Sequence, residues 1–180
     1  MKLKKSITVM MLFLIVVLAA CGNDDTEKET SQTKDETTDI KELVQDYSTG
    51  KKEASSASIT GQELIVSSSE GKEKTYKLPK DEFFVSIAPF VNETHPCTFH
   101  SLTGCQGEMV EKEFDVHIKD EKGNVVVDKK LKSQANGFID LWVPRDKKYN
   151  ITITHDGRKV KSEFSTFEED PTCLTNMQLT

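Results

Sequence analysis

From Ile59 to Phe164 the apolar side chains recur at every second residue in short runs, the spacing of strands buried on one face. Leu64–Val66, Lys74–Leu78 and Glu82–Ala88 read as three such strands, parted by the turn residues Ser68-Ser69-Glu70-Gly71 and Leu78-Pro79-Lys80-Asp81. Pro89 and Pro96 bracket the exit of the third strand into a loop. Farther on, Phe114, Val116 and Ile118 alternate with Asp115, His117 and Lys119, and a Lys122-Gly123-Asn124 turn leads to Val125–Leu131. Phe138–Val143 is apolar on both faces, which predicts a central strand, and Pro144 stops it. Tyr149–His155 and Arg158–Phe164 flank Asp156-Gly157, a two-residue hairpin signal. Five short strands within roughly 55 residues predict a small β-sandwich.

A different period precedes the strands. Ile40, Leu43, Val44 and Tyr47 follow the i, i+3, i+4, i+7 spacing of an amphipathic helix, with Asp39 as its N-cap and Gly50 as its end. Lys51–Ser58 reads as polar linker. The expected class is therefore α+β: a short N-terminal helix and a small mixed or antiparallel strand region, followed by a small β-sandwich. In residues, 39–110 is the α+β region, 111–168 the sandwich and 169–180 a C-terminal tail. Trp142 and the phenylalanines are assigned to the core.

Residues 1–20 read as a signal peptide. Lys2, Lys4 and Lys5 form a basic start, and Ile7 to Ala20 is an apolar run broken only by Thr8. At ~1.5 Å per residue this run spans about 21 Å, short of the ~30 Å hydrocarbon core of a bilayer. Leu18-Ala19-Ala20-Cys21 resembles the bacterial lipobox, which implies lipid modification at Cys21. Gly22–Thr38 has no apolar side chain, so residues 21–38 are expected to be a disordered tether with a reach of about 23 Å. The chain is thus expected at the outer face of a cell membrane, held there through the lipid anchor alone.

Without residues 1–20, basic residues fall from 24 to 21 against 30 acidic ones, a net charge of −9. That balance excludes a nucleic-acid partner, which needs a basic face, and excludes docking on anionic lipid by charge.

The chemistry concentrates in His95-Pro96-Cys97-Thr98-Phe99-His100 through Cys105 and on to Met109, with the spacing H-x-C-x₂-H-x₄-C. Gly104 and Gly107 let this loop fold tightly enough for Cys97 and Cys105 to approach. Cys173, in Pro171-Thr172-Cys173-Leu174, would complete a three-sulfur cluster if the chain end returned to the loop. Thiolates select Cu(I), zinc or iron–sulfur clusters over hard cations, and Cys₃His is also a zinc set. The alternative is a plain Cys97–Cys105 disulfide, with one cysteine left over. The histidines around both cysteines favour metal. Met109 is read as core, Glu108 as a neutral choice between outer-sphere acceptor and bystander, and His117 and His155 as bystanders.

Glu82-Phe83-Phe84-Val85-Ser86-Ile87-Ala88-Pro89, the Thr94–Met109 stretch and the Pro171–Leu174 segment together resemble CueP, a family of extracytoplasmic copper-binding proteins. The resemblance implies copper binding, reduction of Cu(II) to Cu(I) by cysteines, and a role in copper tolerance. It implies Cys97, Cys105 and Cys173 as ligands and electron donors, His100 as the first imidazole ligand and His95 as the second candidate. Expected partners are copper ions, an extracytoplasmic thiol–disulfide oxidoreductase or copper donor, and a second copy in a homodimer. A non-enzymatic zinc or copper store uses the same ligands and is the competing function. A thiol-exchange enzyme is disfavoured, because the chain has no C-x-x-C.

Overall fold

A computed structural model describes residues 39–180; the expected signal peptide, Cys21 and the expected tether lie outside the described residues. The helix α1 spans Ile40–Ser48, and the side chain of Asp39 accepts the Lys41 N–H at its start. Gly50 takes φ +71° just past its end, where a glycine carries the left-handed turn without steric cost. Leu43, Val44 and Tyr47 bury one face, as their spacing predicts.

Eleven strands follow among the described residues: β1 Ser56–Ile59, β2 Glu63–Ser67, β3 Glu73–Lys77, β4 Glu82–Phe90, β5 His100–Ser101, β6 Glu113–Asp120, β7 Val125–Lys132, β8 Ile139–Pro144, β9 Lys148–His155, β10 Arg158–Ser165 and β11 Cys173–Gln178. They form three sheets, ordered β3-β2-β1-β5, β10-β9-β6-β7 and β11-β4-β8. The α+β expectation fits at this level. The strands assigned to a C-terminal sandwich do not stay together, however. β6, β7, β9 and β10 make one sheet, whereas β8 leaves to pair with β4, from Glu82↔Pro144 to Ile87↔Ile139.

β4 organises the molecule because it is buried on both faces. Val85 and Ile87 join Leu141, Val143, Leu174 and Met177 in a core shared with Phe114, Val116, Ile118, Ile151 and Ile153 of the four-stranded sheet. Phe84, on the opposite face, joins the core beneath α1 with Ile59, Leu64 and Leu102. Each such side chain contributes roughly 1.5–3 kcal/mol by leaving water.

Four expectations need correction. The polar linker 51–58 already contains β1, whose Ala57 is fully buried; small residues give little apolar signal. β4 runs through Pro89 to Phe90, since β8 stops pairing at Ile87 and the missing proline N–H costs that side nothing. β8 is an edge strand, not a central one. Its two apolar faces reflect two cores, one met by Ile139, Leu141 and Val143, the other by Trp142. Finally, Phe99 and Phe167 stand 43% and 42% exposed rather than in a core.

The 169–180 segment is more than a tail. β11 pairs parallel to β4, with Cys173 opposite Ser86 and Leu174 opposite Ile87. A bulge between Leu174 and Met177 inserts one residue, so both side chains reach the same core although three positions apart.

Candidate metal centre

Sequence-distant elements deliver four donors to one place. Cys97 sits in the loop after β4, His100 on the short strand β5, Cys105 just beyond it, and Cys173 opens β11. Ser101 reverses the chain between the second and third: its carbonyl accepts from Gly104 N at 3.3 Å and Cys105 N at 3.0 Å. A Cβ on Gly104 would lie 2.9 Å from Ser101 Oγ, so glycine serves close approach there. Gly107 does the same against Gly137, whose carbonyl oxygen is 2.8 Å from where a Gly107 Cβ would stand.

His100 is fully buried because β5 adds to the edge of β1, pairing His100 with Ile59. Thr172 joins this strand to β11. Its hydroxyl accepts from His100 N at 2.9 Å and donates to Ile59 O at 2.6 Å. Its backbone N–H and that of Cys173 both reach Thr98 O, and its carbonyl accepts from Ser86 N. One buried threonine therefore fixes the loop, β1, β4 and β11 to one another.

The donor atoms of Cys97, His100, Cys105 and Cys173 all lie within 4.8 Å of one another. Cys97 Sγ is 3.6 Å from Cys105 Sγ, and Cys173 Sγ is 3.6 Å from His100 Nδ1. All three cysteines are free thiols, so the plain disulfide reading is not the form seen. Phe138 and Ala88 pack against the sulfurs, and the Phe138 ring centroid lies 4.5 Å from that of His100.

The thiols have unequal proton affinities. Cys105 is held far below the usual thiol range, foremost because Cys173 donates to it, against its own burial and with help from His100, His95 and the Ser101 backbone. Cys173 is pushed up because it supplies that proton, and burial adds to the effect. Cys97 is raised mainly by burial. The cluster thus holds one negative charge readily and releases further protons when a cation arrives.

His100 Nε2 is buried with no hydrogen-bond partner. An apolar side chain would fill this position without leaving a polar atom stranded. A soft-ion site explains both the imidazole and the three sulfurs, and the donor set fits copper or zinc.

The other candidates fall outside this group. His95 stands at the rim, near enough to act on Cys105 but not among the four donors. Met109 is core, as read. His117 pairs with Asp128 at 3.2 Å, and His155 Nδ1 lies 2.7 Å from Glu113 O. Two residues shape the site without being expected there: Thr172, and Phe138, which the sequence places only in a core strand. Thr172 adjoins Cys173 in Pro171–Leu174, and Asn136-Gly137 before Phe138 is a turn signal; neither feature reveals a contact this distant.

The profile of the family described as periplasmic copper-binding protein CueP matches residues 39–178. A solved structure described as "Crystal Structure of S.CueP" matches with a TM-score of 0.73 and 38% sequence identity, covering 78% of this chain and 88% of that one. No curated protein matches. The matched span includes all four donors.

Proposed function

The chain belongs to the CueP family, and from that premise we propose that it binds copper at Cys97, His100, Cys105 and Cys173 and reduces Cu(II) to Cu(I) with its thiols. The observation that supports this best is the convergence of three sulfurs and one buried imidazole within 4.8 Å.

Cys97 and Cys105 are the reductant pair, since their sulfurs are 3.6 Å apart and less buried than Cys173. Two Cu(II) ions take one electron each, the Cys97 thiol releases its proton, Cys105 enters as the thiolate it already is, and one S–S bond forms. Cys173 and His100 remain to hold Cu(I), which prefers sulfur and tolerates low coordination. An extracytoplasmic thiol–disulfide oxidoreductase then returns the disulfide to two thiols. Lipid modification at Cys21, with residues 21–38 as tether, keeps the domain at the outer membrane face, where this chemistry contributes to copper tolerance.

Anaerobic titration of the reduced protein with Cu(II) is expected to consume one thiol per Cu(I) formed. Copper uptake with an unchanged thiol count removes the reduction and leaves a store, and preferential retention of zinc removes copper as the cargo. Fractionation of cells carrying Cys21→Ala tests the anchor: the variant is expected in the soluble fraction.

A further inference from the structure

Glu108 lies outside the donor set, three positions past Cys105, yet its carboxylate is engaged on the opposite flank of the loop. Oε2 accepts from Val91 N at 2.6 Å, Asn92 N at 2.9 Å and Glu93 N at 3.3 Å. Oε1 accepts from Asn92 Nδ2 at 2.8 Å and lies 3.3 Å from Asn92 N. Successive backbone N–H groups of this kind form a nest that attracts an anion, and here the chain fills it from within.

The placement gives the contact its meaning. Val91–Glu93 is the exit of β4, and Cys97 follows it closely. Glu108 therefore closes the base of a loop that carries both reductant sulfurs. The Cys97 flank is tied separately to β11, through Thr94 Oγ1 to Thr175 O at 2.8 Å and Gln178 Nε2 to Val91 O at 3.2 Å. Those bonds, together with Thr172 N and Cys173 N on Thr98 O, hold the Cys97 flank against β11. The Glu108 carboxylate ties the same flank to the segment that follows Cys105.

We propose that Glu108 is a positioning residue, a latch that fixes the Cys97–Cys105 separation and thereby the disulfide equilibrium and copper affinity of that pair. The copper half rests on the function proposed above; the disulfide half does not. Donation from the Asn92 and Val91 backbone holds the carboxyl at about 2, so the latch keeps its charge in mildly acidic surroundings. Opening it removes the direct tie between the two ends of the loop and leaves them joined only through the Thr98, β5 and Gly107 contacts with the rest of the fold, at an entropic cost in bringing the ends together.

The test uses Glu108→Ala and Glu108→Gln beside the parent chain. Metal-free protein is equilibrated in glutathione buffers, and the Cys97–Cys105 disulfide is quantified by peptide mapping; Cu(I) affinity is read by competition with a chromophoric chelator. Glu108→Ala is expected to lower both constants about tenfold, the equivalent of roughly 1.4 kcal/mol of lost ordering at the loop's base. Glu108→Gln is expected to fall between, because its amide oxygen still accepts hydrogen bonds without the charge. A disulfide constant within about twofold of the parent in Glu108→Ala, roughly 0.4 kcal/mol, overturns the assignment. So does a drop that disappears when the two proteins are compared equally far below their melting temperatures, since that would mark general loosening. If the parent itself fails to hold Cu(I), the copper reading falls while the metal-free comparison still decides on the latch.

Discussion

Replacing Thr172 by valine removes one oxygen and keeps the shape. The hydroxyl both donates to Ile59 O at 2.6 Å and accepts from His100 N at 2.9 Å, in a fully buried position. Each group left without a partner costs about 1–3 kcal/mol. The extra methyl returns under about 1 kcal/mol, so the net loss is roughly 3 kcal/mol. For a domain of this size that is a fall of roughly 10 °C in thermal midpoint. The damage is local first, because β5 is held to β1 by only two residue pairs, Ser58↔Ser101 and Ile59↔His100. Calorimetry on reduced, metal-free protein measures the midpoint, and the rate of Cys173 labelling by a thiol reagent reports opening between β5 and β11. Thr172→Ser keeps both hydrogen bonds and is expected to lose only about 1 kcal/mol. A valine variant that melts within about 2 °C of the parent, with Cys173 still slow to label, would refute the reasoning.

Three further outcomes follow from other parts of the structure. Gly137→Ala is expected to cost several times more than Gly71→Ala: both have positive φ, but a Cβ at 137 would lie 2.4 Å from the Gly107 carbonyl, while at 71 nothing stands within 4 Å. Comparative denaturant melts check the ordering. His100→Leu is expected to leave the metal-free stability within about 1 kcal/mol of the parent, because the gain from removing the stranded Nε2 offsets the loss of the Nδ1 contact with Cys173, and to abolish the rise that bound Cu(I) produces. For Glu108, the folded carboxyl sits at about 2 against an ordinary 4.5, so its contribution is complete above 4.5 and fades as pH falls towards 2. Carbon NMR titration of the side chain should show the low midpoint, and Glu108→Gln should flatten stability over that window.

Much of the local structure was legible because it depends on local spacing. The helix, its Asp39 cap and its Gly50 end lay within one run of residues, and the Phe114–Ile118 alternation became β6 with its apolar residues inward. The hairpin at Asp156-Gly157 followed from residue types able to take positive φ, and they do, at +47° and +79°. Other elements left no local trace. β5 has two residues and exists only because β1 offers an edge. β8 reads as an interior strand because it touches two cores, a matter of layers rather than of sheet order.

The sequence by itself determined which chemistry was available: three thiols and nearby imidazoles, soft donors in an acidic chain, with two sulfurs held close by a short loop. Whether the third sulfur joined them was decided only by tertiary structure. Cys173 reaches His100 across 73 positions because β11 docks parallel to β4, a pairing that no turn can dictate. Parallel neighbours meet through the layers they bury, so the partner of a strand end is chosen by the core of the whole fold and not by the residues beside it.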